Sequence, residues 1–158
     1  MALLDKLTEF CDAVSVAGSA GTALVGSQVD LSVARDLGNL GEALYFMITV
    51  DTEIITGGSA GTIIFKLSSD ATAAIATDGT ATDHIVSKTY VTDDSAANDS
   101  QMNAGGIPVC VKLPLEGPVY EQFLGVLVVI GTTTVTAGKI NAFFTTNPQA
   151  WKAYPNAI

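Results

Sequence analysis

The chain has 158 residues and carries 16 Asp+Glu against 7 Lys+Arg, a formal net charge of −9, yet charged residues make up only 15% of it. With 48% hydrophobic residues and a mean hydropathy of +0.41, it is too apolar to be disordered throughout and too acidic to hold a nucleic-acid backbone by charge. Its longest apolar run, from Phe123 to Ile130, suits a buried strand and falls far short of the roughly 20 residues of a spanning helix, so neither nucleic acid nor a membrane is an expected partner.

The length suits one domain with a real core. Leu3, Leu4, Leu7 and Phe10/Cys11 recur at helical spacing, with Asp5, Glu9 and Asp12 facing away. This pattern predicts one or two helical turns or an ordered arm over residues 1–12. Asp5 follows Met1-Ala2-Leu3-Leu4 at once, which is not the pattern of an export signal. Residues 13–27 are small, neutral and interrupted by glycine, as loops and edge strands are; residues 1–27 are therefore expected to be an arm and loop.

Strand patterns follow from residue 28. Gln28–Leu31 is short and alternating. Ala43–Val50 sets Leu44, Phe46, Ile48 and Val50 against Tyr45, Met47 and Thr49, a period of two. Residues 54–61 close it with the turn sequence Thr56-Gly57-Gly58-Ser59. Thr62–Ser68 alternates again, Ile85–Val91 and Gly106–Leu113 follow, and Phe123–Ile130, apolar on both faces, belongs in the middle of a sheet. Lys139–Thr145 is the last. About eight strands, turn signals between them and almost no helical pattern predict an all-β chain. The expectation is a single β-sandwich over 28–145, of jelly-roll topology before an immunoglobulin-like one, with a tail over 146–158.

Chemistry-bearing constellations are sparse. The one histidine, His84, is preceded by Asp83, but adjacent strand residues point to opposite faces, so Asp83 is badly placed to orient it as a general base. Cys11 and Cys110 make neither a disulfide framework nor a zinc spacing and are expected as buried, reduced thiols. Asp70, Asp78, Asp83, Asp93, Asp94 and Asp99 sit in turns, and Asp93, Asp94 and Asp99 lack the Gly and terminal Glu of an EF-hand loop. Paired carboxylates of a glycosidase would want an aromatic-lined cleft, and aromatics are 7% of the chain. The glycine-rich stretches Thr56–Thr62 and Thr136-Ala137-Gly138-Lys139 lack the full phosphate-loop pattern and read as turns. No catalytic, metal or cofactor residues are expected. Trp151 and Tyr154, flanked by Pro148 and Pro155, are costly to leave in water. They pack either on their own sandwich or on a neighbouring subunit.

Four short passages carry a family resemblance: Leu4-Asp5-Lys6 with Phe10 and Asp12-Ala13; Arg35-Asp36-Leu37-Gly38 followed by Glu42–Val50; Thr136-Ala137-Gly138-Lys139-Ile140; and the ending Trp151-Lys152-Ala153-Tyr154-Pro155-Asn156-Ala157-Ile158. Together they resemble the jelly-roll capsid cement (decoration) proteins of tailed bacteriophages. The middle of the chain, residues 70–104, departs from that pattern, and Glu116–Glu121 stands where an Arg-rich segment is usual. The resemblance implies a structural virion protein without catalytic activity, assembled in the host cytoplasm. It would bind the outer capsid surface and bridge major capsid subunits as a homo-oligomer, a dimer before a trimer. Acidity suits that location, since a full capsid's interior is crowded with phosphate. The expected interface residues are Leu3, Leu4, Phe10, Arg35, Trp151 and Tyr154, with Arg35 pairing either across an interface or locally with Asp36 or Asp30. The competing reading is a carbohydrate-binding sandwich module, for which Tyr45, Tyr90 and Tyr120 are the aromatic candidates beyond the tail.

Overall fold

A computed structural model describes residues 8–33, 43–57, 60–93, 98–114 and 116–151. Nine strands lie among them: β1 (Glu9–Ser15), β2 (Gly21–Asp30), β3 (Tyr45–Thr56), β4 (Thr62–Asp70), β5 (Thr82–Val86), β6 (Tyr90–Val91), β7 (Val109–Lys112), β8 (Phe123–Gly131) and β9 (Val135–Thr145). They form two antiparallel sheets, one ordered β1-β9-β3-β7 and the other β2-β8-β4-β5, with β6 also pairing with β4. Setting the two-residue β6 aside, the first strand pairs with the last, the second with the next to last, and so inward to β4 with β5. That nested pairing is the jelly roll, a sandwich wound as two Greek keys.

The alternation seen in the sequence fixes which side faces the core. Phe46, Ile48 and Val50 of β3 meet Ile63, Phe65 and Leu67 of β4, with Leu124, Val126, Val128 and Ile130 of β8 and Ile140, Ala142 and Phe144 of β9. At one end Phe10, Phe46 and Phe144 interlock edge to face, with centroids 5.0–6.0 Å apart, the favoured geometry for aromatic rings. As the sequence predicts, β8 is central and buried on both faces. Its outer face is closed by the loop after β4. Ile75 of that loop sits so close to Gly125 that an added Cβ would lie 2.7 Å from its Cδ1. Asp70 holds the loop in shape, accepting the backbone N–H of Thr72 and of Ala76, each at 3.0 Å, and Asp78 does the same for Thr80. These Asx turns satisfy backbone donors that no sheet reaches.

Several expectations are corrected. The segment expected over 1–27 as arm and loop holds β1 and most of β2, so the sandwich includes these residues from Glu9 on. The pattern near Phe10 looks helical because β1 is bulged twice: the shift between Glu9 and Cys11 puts the neighbours Phe10 and Cys11 both in the core, and a second lies between Cys11 and Val14, with Ala13 at φ 49. β2 is bulged between Val25 and Val29. Gly26 there has φ +74, and a Cβ would collide with the Phe10 carbonyl oxygen, so only glycine fits. The run 85–91 breaks into β5 and β6, where Ser87 takes over the pairing: its Oγ accepts the Phe65 N–H at 3.0 Å. Residues 136–139 lie within β9, not in a turn. β7 has four residues, shorter than the run 106–113, because Pro108 and Pro114 flank it and cannot donate to the ladder.

Candidate functional site

Of the six residues expected at an interface, Leu3, Leu4, Arg35 and Tyr154 lie outside the described residues. Phe10 is not at an interface: it is 1% exposed inside the aromatic cluster, with no surface to offer a partner. Trp151 ends the 3-10 turn Pro148–Trp151 and folds back on its own sandwich. Its ring leans on Phe143 at 4.6 Å between centroids, and its Nε1–H donates to Thr145 Oγ1 at 3.3 Å. It stays half-buried.

Phe143 points to the outer face of the β1-β9-β3-β7 sheet. In the register it pairs with Met47, which pairs on its other side with Cys110. This places Cys110, Met47 and Phe143 in a row across three strands, on the face opposite the core. Met47 and Phe143 are nearly inaccessible, at 1% and 2%, whereas Cys110 is exposed, against the expectation of two buried thiols. The reason is its place: β7 is an edge strand, and among the described residues no strand pairs beyond it. A groove of about 270 Å³ runs along this row, lined by Met47, Ile107, Cys110, Pro148 and Gln149. Nothing in the sequence marks Met47 and Phe143 as outward, since both are of core type. The hint is that Phe143-Phe144 and Phe46-Met47 fill both phases of their strands.

The titratable groups are engaged locally. Asp83 bonds Lys66 and Ser68, each at 2.6 Å, while His84 bonds Ser69 at 2.7 Å. The two thus reach different partners. Ser69 is fully buried, so its hydroxyl is no accessible nucleophile despite the nearby imidazole. Burial lowers the pKa of His84, against the opposing pull of Glu121 and Asp83. Lys88 pairs with Asp99 at 3.3 Å and lies 4.7 Å over the Tyr90 ring. Tyr90 itself is buried, and its hydroxyl donates to the Pro108 carbonyl, so it presents no stacking face to a sugar. Asp94 lies outside the described residues, and among those described no three His, Cys, Asp or Glu side chains gather where a metal ion could be held. No helix among the described residues is long and apolar enough to cross a membrane.

The sequence model of the Bbp16 family matches residues 10–144. The chain belongs to the Bbp16 family. The match begins in β1 and ends in β9, so the Bbp16 unit coincides with the sandwich as the structure draws it, both N-terminal strands included. A search of curated proteins finds no match. The Bbp16 sandwich thus joins a closed core to an outer face whose apolar row is roofed in part by Trp151.

Proposed function

We propose that this chain is a structural virion protein, a capsid cement or decoration protein. It binds the outer surface of a tailed-phage capsid and braces neighbouring major capsid subunits, acting as a homo-oligomer, a dimer before a trimer. The observation that carries the reading is the outer face of the β1-β9-β3-β7 sheet. Beside the covered row of Met47 and Phe143, a groove lined by Ile107, Cys110, Pro148 and Gln149 opens next to the edge strand β7, where Cys110 is exposed. Apolar contact area flanked by polar surface is what protein partners use. Many copies of a modest contact hold a repeating lattice together by avidity. A two-sheet jelly roll around one continuous core is a stiff body for transmitting load between the subunits it touches. The excess of carboxylates favours the capsid exterior over the phosphate-filled interior.

Two measurements test it. Mass spectrometry of purified virions should find this chain at a copy number comparable to the major capsid protein; its absence from virions would overturn the reading. A bulky maleimide attached to Cys110 should block binding to cement-free capsids while circular dichroism stays native. Full binding by the labelled protein would remove this face from the interface.

A further inference from the structure

The single histidine of the chain is tied to three parts of the fold at once. In the β4–β5 ladder Leu67 pairs with Ile85 and Ser68 with Asp83, so His84 is the extra residue of a bulge, a device that re-aims a side chain. Its Nε2 lies 2.7 Å from Ser69 Oγ on β4. Its ring stacks on Tyr120 with centroids 3.9 Å apart and planes at 23°. Ser69 Oγ also accepts the backbone N–H of Glu121 at 3.1 Å, and the Glu121 carboxylate accepts the Thr82 hydroxyl at 2.6 Å. Residues 116–121, which lead into β8, are thereby fastened to β4 and β5 through Ser69, the His84 ring and Thr82. A cleft of about 140 Å³ opens beside the ring, lined by His84, Glu116, Tyr120 and the prolines Pro114 and Pro118.

We propose that His84 is a proton-operated latch: the neutral imidazole holds residues 116–121 against β4 and β5, and protonation lets them go. A serine hydroxyl has one proton to give and two lone pairs. The Glu121 N–H takes one lone pair of Ser69. With the proton of neutral His84 on Nδ1, Nε2 accepts the Ser69 O–H, and both the Ser69 hydroxyl and Nε2 are paired. An imidazolium has donors at both nitrogens and no acceptor. The Ser69 proton must then turn away, in a site where Ser69 is fully buried and an unpaired polar group is costly.

The groups facing the ring are known from each side. On its own strand stands Asp83, already bonded to Lys66 and Ser68 of β4. On the held segment stand Glu116, Tyr120 and Glu121. The Glu121 and Asp83 charges favour the imidazolium, and burial outweighs them. Val119, 60% exposed on the same segment, is what release would reposition. The proposal concerns the isolated chain and does not rest on the capsid reading.

Hydrogen exchange of the full chain tests it, with rates corrected for intrinsic pH dependence. From about pH 7.5 to about pH 5, peptides covering 116–122 should lose protection roughly tenfold or more, as a site coupled to one titration allows, while β9 peptides stay protected. His84→Phe keeps a ring against Tyr120 and cannot titrate; its protection should be the same at both pH values. Unchanged protection in the native chain, or an equal loss in His84→Phe, would overturn the latch. Should that variant not fold, the native protein decides by NMR. The Tyr120 ring resonances must move with the same midpoint as the His84 ring, and a Tyr120 that does not follow it sinks the proposal.

Discussion

Trp151 roofs Phe143: the two rings lie 4.6 Å apart at 52° on the outside of the β1-β9-β3-β7 sheet. The chain leaves its last strand and immediately spends its one tryptophan on the back of that same strand. Trp151→Ala should therefore lower stability by about 1–2 kcal/mol, the worth of a half-buried aromatic. Thr145→Val, which removes the acceptor shared by the indole N–H and the Asn147 N–H, should cost about 0.5–1.5 kcal/mol. Urea titrations of both variants check this. No loss in either would show that the roof contributes nothing to the fold.

Phe10 belongs to the fold and not to a partner. Phe10→Ala opens a hole beside Phe46 and Phe144 and should cost about 3–5 kcal/mol. The check is chemical denaturation of the purified chain without any partner. A variant as stable as the native protein would return Phe10 to the list of surface residues.

The two cysteines should behave differently. Burial pushes the Cys11 thiol up to about 12, and its side chain is closed off, whereas Cys110 lies exposed on β7 with a thiol raised only by partial burial. Since the thiolate is the reactive form, a thiol reagent at neutral pH should label one cysteine in the native protein and both in denaturant. Peptide mapping should place the native label on Cys110.

Stability should also follow the charge state of His84. Its pKa is lowered from 6.5 in the folded state by burial, so below pH 6.5 the unfolded chain takes up the proton first. The stabilisation is present in full above 6.5, is lost as pH falls through the lowered folded value, and levels off below it. The melting temperature of the native chain should fall across this window, and that of His84→Phe should not. Asp70, held below its usual 3.8 by the Ala76 and Thr72 N–H groups, adds its own loss only at more acid pH.

Much of this fold was legible because its inner strands obey period two. Phe46, Ile48 and Val50, or Ile63, Phe65 and Leu67, read inward from the sequence and are inward in the structure. What was not legible lies where bulges interrupt that period. β1 hides behind adjacent buried residues at Phe10-Cys11, and β2 behind Gly26 and a two-residue slip. The outer row of Met47 and Phe143 escaped for another reason. Side-chain type tells that a residue will be covered, not which face of the sheet it is covered on. Met102, fully buried at the end of the 3-10 turn Ser100–Met102, escaped likewise, having no strand pattern around it.

The edges of the two sheets have a consequence for crowding. β1, β2 and β5 each carry a bulge, and β7 is cut to four residues between two prolines. A flat, uninterrupted edge is a template for another chain's backbone. Each of these is interrupted or short. Where many copies of the sandwich are held side by side, each can press its faces on its neighbours without its strands being drawn into a growing fibre. The irregularities that obscured the sequence pattern are thus what would let such a protein be packed densely and still remain a set of separate molecules.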